Sequence, residues 1–356
     1  MLELDLTAEL DRQIGVCNAC RYCEGFCAVF GAAQLRTAIG DGDVAYLANL
    51  CHDCRMCYDA CMFSPPHEYA IDVPVLMAAG RVKTYEEYAR PAAFGPALRS
   101  PGTFAAAAVV AGIAGVALVA SASPHDSPVP FYAVVPFVAM LLGGLALAAY
   151  GMIAVALGAR QYARDIGGGE RFVTPATLGV ALHEALALTY LRGGGAGCYD
   201  EGRGSARRRR FHSLVFWGFL ADVVATCSAA FMQDVLRVEP PYPLLSVPVL
   251  LGTLGGIAIA IGAAGLWVVK RRSDARPMEP RQVALDDAFL VLLEVVALTG
   301  LALLAFRATA AMPALLVVHL GAVAGLFVTI PYGKLVHAVY RFIALVKHAH
   351  EQRRLS

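Results

Sequence analysis

"HLGAVAGLFVTIPYGKLVH", residues 319–337, is apolar almost throughout, yet it begins and ends in histidine. A helix crossing a hydrocarbon core of roughly 30 Å needs about 20 such residues. Ionisable side chains are expensive there, and those that occur are candidates for function. At 100° per residue His319 and His337 stand five turns apart on one face, about 27 Å along the axis, unless "PYG" at 331–333 kinks the helix. The stretch predicts a membrane domain with a functional group at one or both of its ends.

Composition agrees. The chain has 356 residues, 58% hydrophobic and 16% charged, with a mean hydropathy of +0.59, values of the membrane class. Its net charge of +1 offers nothing to nucleic acid. Six stretches are long enough to span, near 103–122, 131–158, 212–236, 244–269, 286–307 and 313–340. The 159–211 connection holds nine arginines, including "RRRR" at 207–210, and 270–285 holds Lys270, Arg271, Arg272, Arg276 and Arg281. The opposite connections offer only Arg237 and Arg307. The positive-inside rule then places both termini in the cytoplasm, in a multi-pass protein of the inner membrane. The start, "MLELDLTAELDRQIG", is acidic and has no apolar core of a signal peptide. The segment 172–191 is long enough to span, but spanning would put "RRRR" outside, so it is expected to lie on the cytoplasmic face.

Residues 1–98 are more polar and hold eight of the ten cysteines, as Cys17-x2-Cys20-x2-Cys23-x3-Cys27 and Cys51-x2-Cys54-x2-Cys57-x3-Cys61. Disulfides do not suit the reducing side of a membrane, and zinc sites usually pair two CxxC units at a distance. A run of three cysteines with a fourth three residues later suits a 4Fe–4S cluster. In two-cluster ferredoxins the fourth cysteine of each run serves the other cluster. One cluster is thus expected on Cys17, Cys20, Cys23 and Cys61, the other on Cys51, Cys54, Cys57 and Cys27. The usual proline after the fourth cysteine is missing; Ala28 and Met62 stand there. The segment between the quartets reads as helical. The expected fold is all-α: a helical two-cluster ferredoxin-like domain over 1–98, then a six-helix cytochrome-b-like bundle over 99–356 with a cytoplasmic loop at 159–211.

The histidines suggest b-type haem. His212 opens the third span and His337 closes the sixth on the same side, so this pair is preferred as the two axial ligands. The position facing His319 on the third span is Ala230, flanked by Cys227, Met232 and Gln233. His319 is left to face a quinone, to pair with a ligand from elsewhere (a second haem), or simply to pack. His183 is a rival ligand near the cytoplasmic side. His67 reads as a surface or capping residue; His125, His348 and His350 read as solvated. The arginines 207–210 could hold haem propionates, meet a partner's acidic surface, or only fix topology. Asp222 and Glu294 offer a proton route or hydrogen-bonded packing, and the glycines of 250–266 close helix contacts or room for a haem. Cys198 and Cys227 read as structural.

Several motifs together, "CNACRYCEGFCAVF", "CHDCRMCYDAC", "PPHEYAIDVP", "GGGAGCYDE", "ARRRRFHSLVFWGF", "PPYPLLSVPVLLGTLGGI" and "HLGAVAGLFVTIPYGKLVHAVYRF", make the chain similar to the tricarballylate utilisation protein B (TcuB/CitB) family nearly end to end. That resemblance implies iron–sulfur clusters, b-type haem and a separate flavoprotein partner, a TcuA-like FAD-dependent tricarballylate dehydrogenase whose reduced FAD is reoxidised. Electrons then go to membrane quinone. "HLG…PYGKLVH" also resembles cytochrome-b subunits of respiratory nitrate reductases and heterodisulfide reductases. Two readings compete with that one: a quinol-oxidising subunit feeding a cytosolic reductase, and a redox-sensing membrane protein.

Overall fold

The computed structural model describes residues 5–124, 126–191, 198–200 and 203–355. The first five helices are short: α1 (Leu6–Cys20), α2 (Ala28–Ala33), α3 (Asp41–Leu50), α4 (Met56–Asp59) and α5 (Val73–Tyr88). Asp5 caps α1 through the amides of Thr7 and Ala8, and Asp72 caps α5 through that of Val75. The 3-10 segment Ala92–Arg99 leads into the long helices. These are α6 (Pro101–Ala122), the short α7 (Pro130–Val134), α8 (Phe137–Gly167), α9 (Pro175–Ala187), then a ribbon β1 (Cys198–Asp200) and β2 (Arg203–Ser205). After the ribbon come α10 (Arg207–Asp234), α11 (Val247–Arg272), α12 (Pro280–Ala305), α13 (Met312–Thr329) and α14 (His337–Leu355). The fold is all-α apart from that ribbon, whose register pairs Tyr199 with Gly204.

Among the described residues six helices are long and apolar enough to cross a membrane: α6, α8, α10, α11, α12, and α13 carried on to Tyr332. Their outward faces are apolar, with Leu118, Leu142, Met152 and Leu254 exposed, as lipid contact requires. Backbones approach closely where side chains are absent. A Cβ on Gly112 of α6 would lie 2.3 Å from the Gly321 carbonyl oxygen of α13. Gly255, Gly262 and Gly265 of α11 are used in the same way against α10, while Gly256 meets Leu301 of α12, so these glycines serve helix packing.

Two expectations change. The sixth span ends at Tyr332, not at 340, because Pro331 and Gly333 interrupt it: 3-10 turns occupy Ile330–Tyr332 and Lys334–Val336 before α14 starts afresh at His337. His319 and His337 therefore do not share one helix face. The stretch read as a surface helix contains α9, whose 13 residues cannot span. His348 is buried against Tyr190, 6% exposed, where solvation was expected. His125 lies outside the described residues, as does the side chain of Cys198.

One hydrophobic core joins the cysteine-rich helices to the membrane-proximal ends of α8, α12 and α14, through Tyr46, Tyr85, Tyr88, Tyr162, Tyr332 and Tyr340. Polar contacts close the seam. Tyr88 Oη donates to Asp165 Oδ2 (2.9 Å), Arg36 Nη2 to Glu351 Oε1 (2.7 Å) and Tyr46 Oη to Glu351 Oε2 (2.9 Å). The cysteine-rich region is thus seated on the end of the bundle where His212 and His337 lie.

Candidate functional site

The cysteines take their places from local backbone rules. Cys17 and Cys20 lie three apart on the last turn of α1, hence on one side of it. Arg21 then turns the chain left-handed (φ 57°) and closes the helix onto the Cys17 carbonyl. In the second quartet Cys51 ends α3 and Cys57 lies in α4, with Asp53 (φ 54°) and Arg55 (φ 63°) left-handed between them. Such backbone costs about 1 kcal/mol or more for non-glycine residues and persists only where surroundings enforce it. Here Asp53 pairs with Arg55 (3.4 Å) and Arg208 (3.7 Å).

The thiols fall into two neighbourhoods. Burial pushes the Cys17 thiol up to about 12, helped next by Cys23, Cys61 and Cys20. Cys23 is raised to about 11 by burial, then by Cys61 and Cys20. Cys27 is raised by burial, then by Cys54 and Cys51, and Cys57 by burial, then by Cys54, Cys51 and Cys27. The fourth cysteine of each run thus sits with the other run. Cys23 also acts on Cys57, so the two groups adjoin. Among the described residues no disulfide forms, and no three His, Cys, Asp or Glu side chains converge closely enough for a single metal ion. The Asp53 amide points at Cys51 Sγ (3.3 Å), a contact of the kind that tunes cluster ligands.

A cavity of about 400 Å³ opens between this region and the bundle. Its membrane end is apolar, with Phe216, Phe219, Leu220, Leu266, Leu290 and Leu293. Its other end is charged: Arg55, Arg81, Arg208, Lys270, Lys334 and Arg341 against Asp53, Glu184 and Asp286. Cys51 lies on the same wall. His212 and His337 face each other across it, ring centroids 6.4 Å apart and planes 84° from parallel. Two imidazoles on opposite faces of one metal, with bonds of about 2 Å, place their centroids about 6 Å apart. His337 Nδ1 meets the Lys334 carbonyl (2.6 Å); as the donor it fixes the tautomer that leaves Nε2 a lone pair. The 3-10 turn that breaks the sixth span is what offers this carbonyl. His212 Nδ1, Arg55 Nε and Arg81 Nη2 are buried without hydrogen-bond partners. Such groups are rare in native structures, and an amphipathic anionic cofactor would satisfy the two guanidinium N–H groups. An apolar macrocycle with carboxylates at one edge, axially bound by the two histidines, fits this cavity.

The remaining candidates lie elsewhere. His319 does not line the cavity; its Nδ1 meets Thr299 Oγ1 (3.0 Å), and its ring occupies space that a Cβ on Gly300 would enter at 2.9 Å. His183 is exposed on α9 and does not line the cavity either; its neighbour Glu184 does. His67 caps a turn by accepting from the Tyr69 amide (3.1 Å). Arg208 and Arg209 are engaged with the chain itself, at the Asp53 and Ala187 carbonyls. Cys227 is exposed on α10.

Sequence reasoning missed His52. It lies between Cys51 and Asp53 on the cavity wall, and its Nε2 accepts from Arg341. Burial, then Arg341, His212 and Arg208, hold it well below the ordinary histidine range, so it is neutral. Arg341 and Arg81 were missed as well. The available signal was helical spacing: Arg341 is one turn after His337, and Arg208 one turn before His212.

Comparison with known proteins accords with this arrangement. No solved structure matches the chain. A protein of Escherichia coli described as "Citrate utilization protein B" is 44% identical over 98% of this chain and 93% of its own length. Residues 10–90 match the family model described as "Citrate utilization protein B Fer4-like domain", which points to iron–sulfur binding and a role in electron transfer. Residues 97–356 match "Citrate utilization protein B" itself, so the chain belongs to the citrate utilization protein B family.

Proposed function

We propose that this chain carries electrons from the reduced FAD of a partner dehydrogenase to membrane quinone, through two 4Fe–4S clusters and one haem b. The observation that carries the proposal is the His212–His337 pair, 6.4 Å between centroids, in a cavity that also takes in Cys51 of the second quartet. When bound, the clusters and the haem iron supply the one-electron chemistry. The chain's own residues do the rest. Cys17, Cys20, Cys23 and Cys61 hold one cluster; Cys51, Cys54, Cys57 and Cys27 hold the other. His337 and His212 would hold the haem iron, the former oriented by the Lys334 carbonyl. Arg55 and Arg81 meet its carboxylates with their unpartnered N–H groups. The apolar end of the cavity keeps water from the porphyrin.

The protein would sit in the inner membrane with its cysteine-rich region and both termini in the cytoplasm, an orientation that the charge pattern of the connections supports. The partner is a TcuA-like flavoprotein acting on a tricarboxylate such as tricarballylate, a substrate class in keeping with the relative's citrate-utilization name. Purified full-length protein tests the proposal. It should contain about eight iron and eight sulfide for the clusters, and haem with a reducible α band. Reduced flavoprotein should bleach the clusters and reduce the haem, and added quinone should reoxidise both. A preparation lacking either the haem bands or cluster iron sinks the proposal.

A further inference from the structure

Two arginines tie the second cysteine loop to the two histidine helices. Arg341, one turn beyond His337, donates Nη1 to the Leu50 carbonyl (2.9 Å) and the Asn49 carbonyl (3.4 Å), and Nη2 to His52 Nε2. Arg208, one turn before His212, donates Nη1 to the Asp53 carbonyl and Nη2 to the His52 carbonyl (3.3 Å), and pairs with the Asp53 carboxylate (3.7 Å). A guanidinium is always charged and presents its donors in a fixed fork, so each arginine fixes direction as well as distance. The loop they grip is left-handed at Asp53, a conformation that needs such support. His52 is thereby held from both sides, its ring 6.1 Å from that of Tyr190 and its side chain on the wall shared by Cys51, His212 and His337.

We infer that His52, clamped by Arg208 and Arg341, is the positioning residue that couples the cluster on the Cys51 loop to the haem between His212 and His337. The inference rests on the proposed electron-transfer reading and deepens it. In the step concerned one electron moves, the cluster being oxidised and the haem iron reduced, with no bond made or broken. His52 touches both centres' surroundings: its backbone adjoins Cys51, and it lines the cavity shared with His212 and His337. The two arginines transmit the placement, because each leaves a helix one turn from a haem histidine. A shift of either helix would move the loop with it.

The test uses full-length protein in lipid nanodiscs, with His52→Leu, His52→Gln and Arg341→Lys. Four quantities are read: haem content, iron content, the EPR spectrum of the reduced clusters, and the intramolecular phase of haem reduction after flash photoreduction. His52→Leu should keep both cofactors, alter the EPR signal of one cluster, and slow the intramolecular phase about tenfold or more, the usual effect of losing an outer-sphere partner. Glutamine, whose amide oxygen still accepts from Arg341, should recover most of that rate. Arg341→Lys, which keeps the charge but not the fork, should fall between. Wild-type kinetics and EPR in His52→Leu at full cofactor content overturn the inference. So does loss of iron in His52→Leu beside a wild-type rate in Arg341→Lys, since His52 would then serve only to fold the loop. A wild-type preparation without haem and cluster iron would instead defeat the electron-transfer reading beneath it.

Discussion

Glu351→Ala should loosen the cysteine-rich region from the bundle, and the cost can be worked from its contacts. Glu351 accepts from Arg36 at 2.7 Å and from Tyr46 at 2.9 Å, with Lys347 at 3.8 Å. The Arg36 and Glu351 side chains are only 9% and 14% exposed. Removing one partner of a buried pair costs about 3–5 kcal/mol, mostly because the other charge is left uncompensated. Arg36 keeps Asp43 at 2.5 Å, which places the expectation at the lower end, about 3 kcal/mol. That corresponds to more than a hundredfold in the equilibrium for local opening. The assay is trypsin cleavage within 89–100 under conditions where cleavage follows the open population, with haem content read in parallel. Arg354→Ala is the control: its pair with Glu170 has a similar length, 2.8 Å, but both side chains are more than half exposed, and such solvated pairs add little to stability. If Glu351→Ala opens no more readily than Arg354→Ala, the seam is not held by this network and the reasoning fails.

Two further outcomes follow from the same contacts. His212→Ala and His337→Ala should each abolish the haem absorbance, whereas His319→Ala, which lies outside the cavity, should keep it; full haem in either of the first two, checked by pyridine haemochrome, removes the pairing. Gly158→Ala should destabilise by about 1–3 kcal/mol in a thermal melt, since its Cβ would lie 2.4 Å from the Tyr88 carbonyl oxygen and 2.7 Å from Tyr340 Oη.

Much of this architecture was legible because membranes and cysteine spacing leave few alternatives. Six apolar runs of adequate length give six helices among the described residues, and the two CxxCxxCxxxC runs lie beside each other, with the fourth cysteine of each near the other run. The His212–His337 juxtaposition followed from matching depth alone. What spacing could not reveal was the chain break at 330–336. Helical arithmetic assumes one continuous helix, while Pro331 and Gly333 stop it and hand His337 to a new helix with its own direction. His348 was misread for a related reason: the tail is polar in sequence, yet α14 packs along α9 and buries one face of itself. His52 was hidden by its company, since between two cysteines the cysteines attract the explanation. Its role depends on arginines 156 and 289 residues away in sequence, and such pairs carry no local pattern.

Exposure orders the proposed relay. Cys20 is open to solvent, between Tyr22 (61% exposed) and a loop bearing Met62 (67%), whereas Cys54 is buried and Cys51 borders the haem cavity. Electron transfer between soluble proteins needs a redox centre near the surface, and transfer to haem needs one near the cavity; each quartet meets only one requirement. The proposed crossed ligation would reconcile them, because Cys61 and Cys27 each lie with the other quartet and Cys23 acts on Cys57 across the join. The proposed partner flavin would therefore meet the Cys17–Cys20–Cys23–Cys61 side, with His52 at the far end. A partner docked at the haem cavity instead would have to displace α9 and Arg341 from contacts that hold the loop, which makes the Cys20 face the entry.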